Sequence, residues 1–387
     1  MTAMAPEATV NRGGPPPRPQ VFRVGVYETD VPDIDVTVTQ LAGAAQKLGT
    51  FKLSPNGWLA GVWCLCQMTT SGNAATVTFT GDNPWSGIQK ITFKDVGQRE
   101  VFGPLTGYEW FTVNKWGGYF AGNPDPRNPA TGYSTTAGAG GTGGSFTFLL
   151  YVPLEIVYRD TLGEIENKSS SSAYTLEVFL DSSANTYGVA PTTPGSFRFR
   201  ANLIGYTEPE AADMRGRPLS QAPPADGTVQ YWTSEVPSAQ SAGIGKYNIQ
   251  GGIGYSIRNL VFINYDNTNG TRATGQTDWP DPTTLSFGKV QLFQRPVLMW
   301  QNLMSKWFGL TGVGPDASLT PENGVFVQAF DREFDGVAGN ELRNGYLVTK
   351  AGNVLQLSGT FVGASIVHYL VNYIVPPGND PARLRAR

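Results

Sequence analysis

Every second residue of 145–158 is apolar: Phe146, Phe148, Leu150, Val152, Leu154, Ile156 and Tyr158. That period predicts a strand with one face in a core. Pro153 lies in the other register and has no N–H to give a ladder, so pairing should bend or end there. Clean alternation predicts further strands at 174–180 and 197–203, the latter with Arg198 and Arg200 outward. Residues 58–68 are apolar in both registers, which predicts a strand covered on two faces. Stretches 21–27, 50–53, 75–80 and 88–93 complete the strands of the first half, and 108–116 fits either a strand or a short helix.

The second half repeats the style. Strands are expected at 228–232, 247–250, 253–264, 285–293, 325–330, 354–361 and 366–375. Residues 294–308 differ: Val297, Trp300, Met304 and Trp307 follow helical spacing, with Pro296 suited to a first turn and Gly309 to a stop. Unpatterned loops fill 123–144, 266–282 and 331–352. Residues 208–226 lack aromatics and strand formers, which places a linker there. Two all-β halves with short strands and spaced turns predict sandwiches or barrels. The 47 Gly and 28 Pro supply the turns such a fold needs.

Charge narrows the functions. With 28 basic against 31 acidic side chains there is no basic field, so sequence-specific binding of nucleic acid is not expected. Neither an eighteen-residue apolar run nor a signal-peptide core is present, which predicts a chain made and folded in a reducing cytoplasm. Cys64 and Cys66 fit that reading. Two apart on a strand, their Cα atoms are about 6.6 Å apart with parallel side chains, at the limit of disulfide geometry. Buried free thiols are expected. Residues 1–20, with Pro15–Pro17, and 377–387, with Arg383, Arg385 and Arg387, read as extended arms.

The reactive inventory is thin. Asp331, Glu333, Asp335 and Gly336 resemble the start of a calcium loop, but position twelve falls on Leu342 and Glu341 is one place short. A surface acidic turn is the stronger reading, leaving Asp331, Glu333 and Asp335 as weak cation candidates. Gly138, Gly140 and Gly143 match G-x-G-x-x-G, yet a strand follows instead of a helix. Asp160, Glu164 and Glu166 are carboxylates of the kind glycoside hydrolysis uses, though a solvated turn explains them. The one histidine, His368, is in register with Ile366, Leu370 and Ile374, so a hydrogen-bonded core histidine is expected rather than a catalytic one. Trp300 and Trp307 read as helix core, and Asn269 fits a glycosylation acceptor only in a secreted chain. No catalytic residue and no cofactor are expected.

Residues 51–68 are followed by GDNPWSGIQKITF, then LLYVPLEIVYRDTLGEI, then YTLEVFLDSSANTYG. GYSIRNLVFINYDNTNG, PVLMWQNLMSKWF and VNYIVPP continue the series. In order and pattern, over most of residues 21–376, this resembles the double jelly-roll major capsid proteins of tailless, internal-membrane phages of the tectivirus type. The resemblance implies an all-β fold of two tandem eight-stranded jelly rolls with long outer loops and a few short helices. It divides the chain into an arm at 1–20, a first jelly roll at 21–210, a linker at 211–226, a second jelly roll at 227–376 and an arm at 377–387. It implies a homotrimer of pseudo-hexameric outline in a virion shell, touching neighbouring capsomers, minor capsid and vertex proteins, and an internal membrane through the arms. The loop at 123–144 becomes a candidate outer tower. Two other readings stay open: a carbohydrate-binding or carbohydrate-cleaving β-sandwich protein, and a minor vertex or spike protein of the same virus type.

Overall fold

The predicted alternation becomes ladders in the computed structural model, which describes residues 26–71, 75–80, 82–119, 134–136, 142–156, 163–208, 212, 214–216, 229–249, 254–266, 272, 279–308, 324–330 and 345–375. The first half opens with β1 (Glu28–Thr39), β2 (Gln46–Lys52), β3 (Gly57–Thr69), β4 (Thr78–Phe79), β5 (Ile88–Lys94) and β6 (Glu100–Leu105). Helix α1 (Gly107–Trp116) follows, then β7 (Ser134–Thr135), β8 (Phe146–Pro153), β9 (Ile165–Asn167) and β10 (Thr175–Leu180). The four-residue α2 (Ser183–Thr186), β11 (Tyr187–Val189) and β12 (Ser196–Tyr206) close it. The second half runs β13 (Val229–Glu235), β14 (Gly243–Ile249), β15 (Ser256–Asp266), β16 (Thr283–Phe287) and β17 (Val290–Arg295). Helix α3 (Val297–Phe308), β18 (Val325–Ala329), β19 (Leu347–Val348), β20 (Leu355–Phe361) and β21 (Ser365–Val375) end the described chain.

The pairing is the same in both halves. One sheet of the first half has the order β1-β12-β3-β8, and the other β2-β10-β5-β6. The second half gives β13-β21-β15-β18 and β14-β20-β16-β17. Each half is therefore two four-stranded antiparallel sheets closed over a core, the architecture that buries one face of every strand. Phe51 of β2 stacks on Phe199 of β12 across the first core, with ring centroids 6.1 Å apart. In the second, the Tyr369 hydroxyl of β21 donates to the Asn248 carbonyl of β14 (3.0 Å). One apolar core cluster runs through both halves.

Local chemistry explains where elements stop. β8 ends at Pro153, opposite Gly61, as the missing N–H dictates; beyond it, Leu154 and Glu155 both donate their N–H to the Ala60 carbonyl. In β3, Ala60 is an extra residue against β12, because Gly205 faces Leu59 while Ile204 faces Gly61. That bulge lets Leu59 and Val62 both point into the core, while Trp58 and Ala60 pack with Tyr206 on the other side. Cys64 and Cys66 are free and buried on the core face.

Some expectations are corrected. Of the strand anticipated at 21–27, residues 21–25 lie outside the described residues and 26–27 precede β1, a strand the alternation did not announce; its acids (Asp30, Asp33, Asp35) and Pro32 bulge belong to an edge strand, where they discourage further pairing. Residues 285–293 are a hairpin, β16 and β17, because Gly288 turns the chain at φ +59°. Residues 108–116 are a helix, started by a capping box in which Thr106 accepts from the Glu109 N–H and Glu109 accepts from the Thr106 N–H.

The two helices are a repeated device. α1 follows β6 and α3 follows β17, the counterpart strands of the two halves, and each helix clasps the far edge strand of the facing sheet, β8 or β18. The indole N–H of Trp110 donates to the Tyr151 carbonyl (2.8 Å), and that of Trp300 to the Val327 carbonyl (2.8 Å). Four residues later, Asn114 Oδ1 accepts the Tyr151 N–H (2.6 Å) and Met304 Sδ the Val327 N–H (3.4 Å).

Candidate functional site: the joint between the halves

The halves meet where β6, the edge of one sheet, lies parallel to β13, with Phe102 opposite Trp232. One aligned pair is a thin connection. The joint is carried by side chains around α1, whose ten residues are all buried.

The ends of α1 have opposite electrostatic character, and each meets a suitable partner. At the N-terminus, where the helix dipole favours an anion, stands Glu109, 3% exposed. Its Oε1 accepts from the Ser234 hydroxyl of β13 (2.8 Å) and lies 3.1 Å from His368 Nδ1 of β21. The His368 ring, 19% exposed, packs on Tyr265 at 4.3 Å. At the C-terminus, where carbonyls are left without helical partners, Asn259 Nδ2 donates to the Trp116 carbonyl (2.8 Å) and Arg258 Nη2 to the Gly117 carbonyl (3.2 Å). Arg258 is fully buried near the start of β15, and its other branch reaches Asn372 Oδ1 (3.3 Å).

Two further links flank the helix. Gln230 of β13 donates to the Glu155 carbonyl (3.0 Å) and accepts from the Tyr119 hydroxyl (3.1 Å) and from Asn372 Nδ2 (3.0 Å). Arg272 donates from Nε to Asp82 Oδ1 (2.9 Å) and lies over the Tyr108 ring at 4.7 Å. Burial works against the Arg272 charge, but the Asp82 carboxylate bound to it favours the charged form, and its pKa stays above the ordinary arginine range. Burial pushes the Tyr108 hydroxyl up, so it stays neutral.

Ser234 and His368 address the same carboxylate oxygen. The histidine does not stand between hydroxyl and acid, which is the order that activates a nucleophile. The arrangement locks two bodies together; it does not line up a reaction.

The sequence candidates fall as follows. His368 is at the joint, hydrogen-bonded as expected. Trp300 is core of α3; the side chain of Trp307, and Gly309, lie outside the described residues. Asp331, Glu333, Asp335 and Gly336, Asp160, Asn269, Gly138 and Gly140, nearly all of the loop at 123–144 and both arms lie outside the described residues as well. Gly143 is described: its carbonyl accepts from the buried Thr70 hydroxyl (2.7 Å), a structural anchor. Glu164 is buried whereas Glu166 is exposed and paired with Lys168 (3.5 Å), so these two acids do not form one site. Among the described residues no group of three or more His, Cys, Asp or Glu is placed to hold a metal, and no helix is long and apolar enough to cross a membrane. The sequence reading missed Glu109, Ser234, Arg258, Asn259 and Gln230.

No family model matches the sequence, and no curated protein matches it. Solved structures do. The MCP of STIV aligns over 91% of this chain and 97% of its own, at TM-score 0.60 and 12% identity. The chain has the double jelly-roll fold. The capsid of PBCV-1 virus gives TM-score 0.57 at 12% identity, over 91% of this chain and 94% of that one. The major capsid protein P2 from bacteriophage PM2 gives 0.51 at 9% identity, over 92% and 99%. Within this double jelly roll, the joint around α1 is what fixes one barrel against the other.

Proposed function

We propose that this chain is the major capsid protein of an icosahedral virus, a structural protein without catalytic activity. One observation carries the reading: two copies of one eight-stranded topology stand in a single chain, locked by a buried joint, and nearly the whole chain aligns with nearly the whole of capsid proteins. Two similar barrels per chain let three copies form a capsomer of six barrels, so that three-fold symmetry fills a six-fold place in a lattice. Residues 21–210 and 227–376 are the two units, with 211–226 as linker. The finer reading is a shell around an internal membrane, as in tailless phages of the tectivirus type, assembled in the host cytoplasm with minor capsid and vertex proteins. In that setting the arm at 377–387 meets anionic lipid through Arg383, Arg385 and Arg387, at about 1 kcal/mol per charge near such a surface.

Light scattering on the purified chain tests the core of this. Three copies of the 41.7 kDa chain give a particle of about 125 kDa. A species that stays monomeric at micromolar concentration refutes it. Deleting 377–387 tests the membrane contact, which fails if assembly and lipid content are unchanged.

A further inference from the structure

The repeated helix clasp gives a residue-by-residue correspondence between the halves. Trp110 and Trp300 do the same work on β8 and β18. Tyr108 and Glu109 of α1 therefore correspond to Leu298 and Met299 of α3. The first pair is buried, because the second half covers it: Arg272 lies over Tyr108, and Ser234 and His368 meet Glu109. The second pair is open, with Leu298 63% and Met299 53% exposed. The strands tell the same story. β6 is joined to β13, whereas its counterpart β17 ends its sheet among the described residues. β1, the counterpart of β13, ends its sheet too.

We propose that the α3–β17 face, centred on Leu298 and Met299, docks onto the outer face of β1 and β12 of a second copy of this chain, repeating between chains the joint that α1 makes within one. The proposal rests on the capsid reading and names the surfaces through which copies meet. The occupant follows from the repeat, since the surface that covers α1 within the chain has one counterpart, the β1–β12 face of the first half. The chemistry suits a contact formed from soluble chains. Where the internal joint buries a carboxylate and a histidine, α3 offers two flexible apolar side chains. The β12 face offers Arg198, whose Nε donates to Asp35 of β1 (2.8 Å), and Arg200, whose Nη2 donates to Gln67 of β3 (2.6 Å); with each guanidinium held on the sheet, the aliphatic stems are the parts that cover apolar surface. The two faces differ, so the contact is heterologous, and the capsomer of three proposed above is the ring in which it closes.

Two double variants, L298D/M299D and D35K/T37K, each spoil one face. Their targets are exposed, so each chain should stay folded by circular dichroism; D35K also breaks the surface pair with Arg198, and exposed pairs contribute little, so its melt should fall by only a few degrees. By light scattering, each variant alone should be monomeric, and an equimolar mixture should give a 1:1 dimer and nothing larger, because one intact contact survives per pair. I244D/V362D, at two apolar positions that are more exposed still (81% and 71%), should assemble as the wild type does. An L298D/M299D chain that still assembles, a mixture that stays monomeric, or an I244D/V362D chain that also fails to assemble overturns the assignment of this face. A wild-type chain that never assembles overturns the capsid reading itself.

Discussion

Replacing Glu109 with alanine tests the joint most directly, because this side chain caps α1 and reaches the other half at once. Losing its contact with the Thr106 N–H removes the return arm of a capping box, about 1 kcal/mol. The half-buried Ser234 hydroxyl loses a hydrogen bond to a charged acceptor, about 1–3 kcal/mol. His368 loses its carboxylate, but water reaches a ring that is 19% exposed, so about 1 kcal/mol is the right scale. The sum is about 3–5 kcal/mol, a large share of the roughly 5–15 kcal/mol that holds a typical protein folded. Glu109→Gln keeps one carbonyl for two donors and should lose about half as much. Urea unfolding followed by tryptophan fluorescence reads both: the midpoint should fall, and the single transition should split as the halves uncouple. An E109A chain within about 0.5 kcal/mol of wild type, still unfolding in one step, refutes the assignment of Glu109 as a joint residue.

Asp82→Ala should cost about 3 kcal/mol, since it strands the Arg272 charge, and Arg272→Ala about 1 kcal/mol, since water reaches Asp82; together they should cost less than the sum; strictly additive losses refute a pairing across the joint. Cys64 and Cys66 should resist a thiol reagent until the protein unfolds, because burial raises both thiols and keeps them neutral; rapid labelling of the folded chain refutes this. Glu177 has its carboxyl pKa lowered, chiefly by the hydrogen bond from Lys47 and also by Lys94, against burial. A depressed folded pKa adds stability above the ordinary glutamate value of about 4.3 and loses it as pH falls through the lowered value. The advantage of wild type over E177Q should therefore be full at pH 7 and fade below about pH 4; an advantage that grows on acidification refutes it.

The strands were legible wherever one face is dry and the other wet, as in 197–203, because period-two alternation follows from that asymmetry. α1 was not legible that way: all ten residues are buried, so no polar stripe marks a helical period. The usable signal was chemical, a Thr106-x-x-Glu109 capping box before an apolar run. β6 hid behind Gly103–Pro104, which reads as a turn, and β1 behind its acids. The joint itself was nearly invisible. Glu109, Ser234 and His368 are far apart in sequence, and only the fold brings them onto one carboxylate oxygen. Arg258 was the readable exception, a charge inside the apolar run SIRNLVFINY that needed a buried partner.

The thinness of the β6–β13 pairing has a mechanical consequence. A seam sewn by a full ladder resists shear bond after bond, whereas this one is riveted at a few points: the two ends of α1, Gln230, and the Arg272–Asp82 pair. Under load across the molecule, the rivets give before either barrel unravels. If the chain tiles a shell as proposed, that shell yields by hinging its plates rather than tearing them.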